Sequence, residues 1–270
     1  MDTIVVATDF SPSSGNAVQY ACALAAEKGY KVIITHVYTM PGTYTGEGLS
    51  MVAINDGLNA EKESLKESFD SAKRDHPDIS IEANMMIGDF LDSLRKMERD
   101  INPKMFIMGG KSDYSDLWLW DTDWLTAVVN IASPVLVIPS HASYAPLQNI
   151  AFACDYKNPC SAPQLKIIKE LAGNPGTTLH IVHVTTDASE AENERKRTLL
   201  KDSMADFAPQ YHFIEDRQII RAVSVFVRQY HIDLLLVTPH KHGLWYNLLN
   251  KSYTKQLARL NPVPVMTISE

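Results

Sequence analysis

Short apolar runs alternate with longer amphipathic stretches along this chain. In the first half, runs near 2–8, 31–37, 79–86, 104–108 and 134–138 are rich in β-branched residues and read as strands. Between them, polar and apolar positions recur at helical spacing near 13–28, 56–75, 89–101 and 118–131. TIVVA, KVIITHV and PVLVI are apolar almost throughout, as expected of strands covered by helices on both faces. Strand alternating with helix predicts a parallel, doubly wound α/β domain.

The pattern is then written a second time. IVVATDFSPSS (4–14) returns as IAFACDYKNPC (150–160), and KVIITHV (31–37) as TLHIVHV (178–184). MFIMGG (105–110) parallels LLLVTP (234–239), and SPVLVI (133–138) parallels VPVMTI (263–268). Four segments in the same order imply two copies of one domain, over 1–143 and 147–270. The offset between copies falls from 147 at His36 and His183 to 129 at Gly109 and Thr238, so the first copy carries eighteen extra residues between those points. Much of this excess is assigned to 38–57, whose glycines, threonines and serines read as a loop, either a lid or an inert surface insertion.

In a doubly wound sheet, ligands sit beyond the carboxyl ends of the strands, where strand order reverses. Those ends are Thr8-Asp9, His36-Val37 and Gly109-Gly110 in one copy, and Cys154-Asp155, His183-Val184 and Thr238-Pro239 in the other. Gly110-Lys111-Ser112 imitates the tail of a P-loop, but Met105 stands where that motif needs its first glycine.

The residues at these ends resemble the universal stress protein family. VVATDFSPSS leading into a helix, ITHV, and a late IMGG…SPVLVIP carry the resemblance, which covers nearly the whole length apart from 38–57. It implies two flavodoxin-like (adenine nucleotide alpha hydrolase-like) domains, each a five-stranded parallel sheet with helices on both faces. It also implies pairing through the last strand of each, here within one chain as a pseudo-dimer, since covalent linkage raises effective concentration. Further homodimerisation of the whole chain stays open.

In nucleotide-binding members, the resemblance implies that the end of strand one and the end of strand two hold base and ribose. A G-x2-G-x9-G-[ST] loop holds the phosphates through backbone N–H groups at a helix start. In the first copy Ala7, Thr8, Asp9 and Val37 match the base and ribose side. Gly109 matches the first loop glycine, Ser112 replaces the second, Asp121 falls at the third, and Thr122 takes the hydroxyl position one residue short in spacing. Asp113, Asp116, Asp121 and Asp123 would repel a triphosphate there. In the second copy Asp155 and Val184 keep the strand ends. Thr238, Lys241, Lys251 and Ser252 fall on the loop pattern at full spacing with every glycine lost. Lysine side chains could still hold an anion there in place of a backbone nest.

Two functional classes follow. One is a non-enzymatic stress-response or signalling protein acting through a partner or small ligand, needing no cofactor. The other is an adenine-nucleotide binder for ATP or AMP using the second copy, with slow hydrolysis as an option.

Composition narrows the rest. Net charge is −7, from 11 basic against 20 acidic residues over 1–146 and 14 against 12 over 147–270. Neither half has the basic excess of a nucleic-acid binder. The absence of a membrane-length apolar run and of a leader pattern at MDTIVVATDF leads us to expect a cytoplasmic protein. Cys22, Cys154 and Cys160 lack CxxC spacing, and His240-x-His242 has no further ligand nearby, so no metal site is expected. His36 and His183 read as satisfied structural histidines. Trp120 and Trp124 share a helical face and read as core, while Trp118 points elsewhere.

Overall fold

The structure is a computed structural model that describes residues 1–40, 51–110, 130–154, 160–185, 204, 207–238 and 263–269. The chain divides into two compact units, whose described residues are those up to Tyr144 and those from Ala145 onward.

In the first unit the strands are β1 (Thr3–Ala7), β2 (Lys31–Tyr38), β3 (Ile81–Ile87), β4 (Met105–Gly110) and β5 (Val135–Pro139). They form a parallel sheet in the order β3-β2-β1-β4-β5. Helices α1 (Pro12–Lys28), α2 (Met51–Asp75) and α3 (Phe90–Ile101) connect them. The central strands are buried on both faces: Ile4, Val5, Val6, Phe106 and Ile107 have no exposed surface. That is why their sequences show no alternation.

α1 starts where the chemistry of its first turn requires. Ser11 is the N-cap, its side chain accepts from the Ser14 N–H, and Pro12 opens the helix at a position that needs no N–H donor. It ends at Gly29, in the left-handed conformation with φ 70°. Asp89 caps α3 in the same way, accepting from the Asp92 N–H.

One boundary differs from expectation. Residues 51–57, read as part of a loop, are the first two turns of α2. The reason lies in spacing and in Gly57. Ile54, Leu58, Glu61 and Leu65 continue one helical face back toward the N-terminus. A Cβ at Gly57 would lie 2.9 Å from the Tyr38 hydroxyl, which also donates to the Ile54 carbonyl at 3.3 Å. The glycine that suggested a break is a point of close helix–strand approach. The preceding 41–50 and most of the predicted helix 118–131 lie outside the described residues.

The second unit repeats the plan. Its strands are β6 (Asn149–Ala153), β7 (Thr178–Thr185), β8 (Gln210–Glu215), β9 (Leu234–Val237) and β10 (Val265–Thr267), in the order β10-β9-β6-β7-β8 and all parallel. The described helices are α4 (Ala162–Ala172) and α5 (Ile219–Gln229). α4 begins on a capping box between Ser161 and Gln164. α5 lays Ala222, Val223, Phe226 and Val227 on a core formed with Ala151, Val182 and Leu235.

The first helix of each unit is tied to the end of the last strand. Asn16 Nδ2 donates to the Pro139 carbonyl at 2.9 Å, and Gln164 Nε2 to the Ile268 carbonyl at 3.3 Å. No described helix is long and apolar enough to cross a membrane.

Candidate functional site

In each unit strand order reverses beside the first strand, between β1 and β4 and between β6 and β9. The crevice expected of this fold opens there, beyond the carboxyl ends.

In the first unit Ala7 closes β1, and Thr8 and Asp9 lead from it into α1. A mesh of hydroxyls builds this turn. Thr8 Oγ1 lies 3.1 Å from Ser14 Oγ and accepts the Phe10 N–H at 3.1 Å. Asp9 Oδ1 accepts the Ser11 N–H at 3.1 Å and the Ser11 hydroxyl. The Ser11 and Ser13 hydroxyls stand 3.0 Å apart, with Ser13 and Ser14 buried. Phe10 takes a φ of 62°, a conformation that costs an L-residue energy and that the flanking bonds hold in place.

His36, at the end of β2, completes the site. Its Nδ1 donates to the Thr8 carbonyl at 2.8 Å, while its Nε2 faces a carboxylate oxygen of Glu61 on α2. The carbonyl only accepts, so Nδ1 carries a proton. Nε2 and the Glu61 carboxyl group make a second bond on the same ring. The Phe10 ring packs over the imidazole with centroids 4.4 Å apart. Glu61 was not singled out from sequence. The available signal was an acidic residue on the otherwise apolar face of α2.

Gly109, in β4, meets this turn from the other side. A Cβ there would lie 2.5 Å from the carbonyl carbon and oxygen of Ser13 and 2.7 Å from the Ser14 nitrogen. The missing side chain of Gly109 lets β4 pack directly on the backbone of α1. The structure thus gathers Ala7, Thr8, Asp9 and Gly109 at one sheet end. Val37, next to His36, is half-buried and pairs with Met86 of β3.

The second unit keeps the same wiring. His183 Nδ1 donates to the Cys154 carbonyl at 3.0 Å, as His36 does to Thr8. Val184 lies in the core against the α5 face, and Thr238 is buried just past β9. Ser112, Thr122, Asp155, Lys241, Lys251 and Ser252 lie outside the described residues, as do Trp118, Trp120, Trp124 and His240-x-His242. Among the described residues no three His, Cys, Asp or Glu side chains converge on a metal-sized site.

The thiols follow burial. Cys22 sits on the buried face of α1, where burial, and secondarily the Asp75 carboxylate, push its pKa up to about 12. The described cysteines are all reduced.

A parallel doubly wound sheet built twice, with a hydroxyl-rich turn at the first switch point, defines a tandem α/β protein. The Universal stress protein family model matches residues 1–139, and the chain belongs to that family. No curated protein matches it significantly. Among solved structures, a universal stress protein from Archaeoglobus fulgidus is similar along the whole chain, with a TM-score of 0.70 at 15% identity, covering 100% of this chain and 96% of the other. A putative universal stress protein from Pseudomonas aeruginosa aligns with a TM-score of 0.61 at 13% identity, covering 100% and 93%. Similarity at this level shows a shared fold.

Proposed function

We propose that the chain is a non-enzymatic stress-response or signalling protein that acts through a protein partner or small ligand, not through ATP held in a phosphate loop. The observation that carries this reading is the contact of Gly109 with Ser13 and Ser14. Strand–helix packing accounts for that glycine without any phosphate. The sequence supports the same reading: Ser112 and Asp121 replace the other glycines of the first loop, and four aspartates crowd it. In the second copy, Thr238, Lys241 and Lys251 stand at the glycine positions, so an anion would meet side chains instead of a peptide nest.

The two units pair within the chain in this reading, as a pseudo-dimer. β5 and β10 each stand last in the strand order of their own unit, where such pairing would be made.

Native mass spectrometry of the purified chain with magnesium and ATP, AMP or adenosine tests the proposal. No adduct at millimolar ligand with a folded chain is the expected result. ATP binding at micromolar concentration would replace this reading with a nucleotide-binding one centred on Lys241, Lys251 and Ser252.

A further inference from the structure

A concave feature along β8 lies away from the switch point. β8 is the outermost strand of its own sheet, and between it and α5 runs a cleft of about 580 Å³. That volume falls within the range of small-molecule sites. Its floor is aromatic: the rings of His212, Phe226 and Tyr230 lie in mutual contact, with centroids 4.5 to 4.8 Å apart. Val225 on the exposed flank of α5 forms part of the wall.

Two polar groups in the cleft have unmet capacity. Arg221 opens onto it from the first turn of α5, is exposed, and has no ion pair among the described residues. Asp216 also lines the cleft, but its carboxylate accepts the Gln218 N–H at 2.7 Å and makes no ion pair with Arg221.

The second group is His212, whose tautomer is set by a relay. Asn149 Oδ1 can only accept, so the 3.4 Å contact puts a proton on His180 Nε2. Neutral His180 therefore presents a bare Nδ1, which accepts from His212 Nε2–H at 3.1 Å. That leaves His212 Nδ1 as an unprotonated acceptor, with no hydrogen-bond partner among the described residues. Burial lowers the pKa of both rings, and the neighbouring His212 adds to the effect on His180, so the neutral forms on which the relay depends are favoured.

We infer that this cleft is a binding site for a planar aromatic carboxylate that carries a hydrogen-bond donor on its ring system. The ring would pack on the partly exposed Tyr230, which Phe226 backs from beneath, the carboxylate would take the Arg221 guanidinium, and the donor would meet His212 Nδ1. This site is separate from the strand-end crevice and does not depend on how the phosphate loops are read.

The test is titration calorimetry with saturation-transfer NMR on the full chain, using benzoate, 4-hydroxybenzoate, indole-3-carboxylate and cyclohexanecarboxylate as probes. Either donor-bearing aromatic acid should bind at least about fivefold tighter than benzoate, and cyclohexanecarboxylate weakest of all. Arg221→Gln should weaken binding by about tenfold or more, and Val225→Trp should abolish it by filling the cleft. Both positions are exposed on α5, so circular dichroism should show unchanged folding. No binding of any aromatic probe at millimolar concentration overturns the inference. So does binding that survives Val225→Trp in a folded chain.

Discussion

His36 holds the carbonyl oxygen of Thr8 through Nδ1, and through Nε2 it reaches Glu61 on a different helix. One imidazole thereby fixes the end of β1, the end of β2 and the face of α2. His36→Ala should destabilise the first unit by about 2–3 kcal/mol, since it strands a carbonyl and a carboxylate together. Glu61→Gln keeps an acceptor in place and should cost under about 1 kcal/mol. Urea denaturation of both variants would check the order, and equal losses would contradict it.

Gly109→Ala and Gly57→Ala should differ sharply. At 109 the added methyl meets backbone of α1 at 2.5 Å, which cannot yield without moving the helix. A loss of about 3 kcal/mol or more is expected. At 57 it meets only the Tyr38 hydroxyl, at the far end of a side chain, at 2.9 Å. The helix-propensity gain of about 1 kcal/mol should offset most of that crowding. Thermal melts of the two variants would show the contrast.

Thiol reactivity should divide by burial. Cys22 and Cys154 are buried, and Cys22 keeps its proton at any ordinary pH, while Cys160 is partly exposed. Ellman's reagent at pH 8 should label one thiol quickly in the native chain and all three in denaturant. Rapid loss of the Cys22 thiol in native conditions would contradict the packing of the buried face of α1.

The His180–His212 pair predicts acid sensitivity of the second unit. Both rings have pKa values lowered by burial, His180 further by its neighbour, and the faces around them are Asn149, Phe226 and Tyr230, with no carboxylate paired to either among the described residues. The unfolded chain therefore binds more protons once the pH falls below about 6.5. Stability should be fully present above that value and decline as pH drops toward the lowered folded values. His212→Gln should flatten this slope in urea titrations between pH 7 and 5. An unchanged slope would remove the pair as its source.

Much of the architecture was legible because buried parallel strands advertise themselves as unbroken apolar runs. All five first-unit strands and α1 and α3 lie within a few residues of their expected places. The duplication located the switch points in both halves. The start of α2 was hidden because Gly57 looks like a breaker until Tyr38 is seen against it. Glu61, and the relay from Asn149 through His180 to His212, were hidden for another reason. Their partners are 25 to 32 residues away, and periodicity reports which face a residue occupies but not which neighbour it meets there.

The doubled histidine bond bears on how such a chain assembles. β1 and β6 are short, apolar and nearly interchangeable, so a newly made polypeptide risks pairing one copy's first strand with the other copy's second. His36 lies 28 residues from Thr8 and His183 lies 29 from Cys154. Closing these short loops costs less entropy than spanning from one copy to the other. Loop closure thus favours each first strand meeting the second strand of its own copy, and the histidine bond fastens that pair once it has formed.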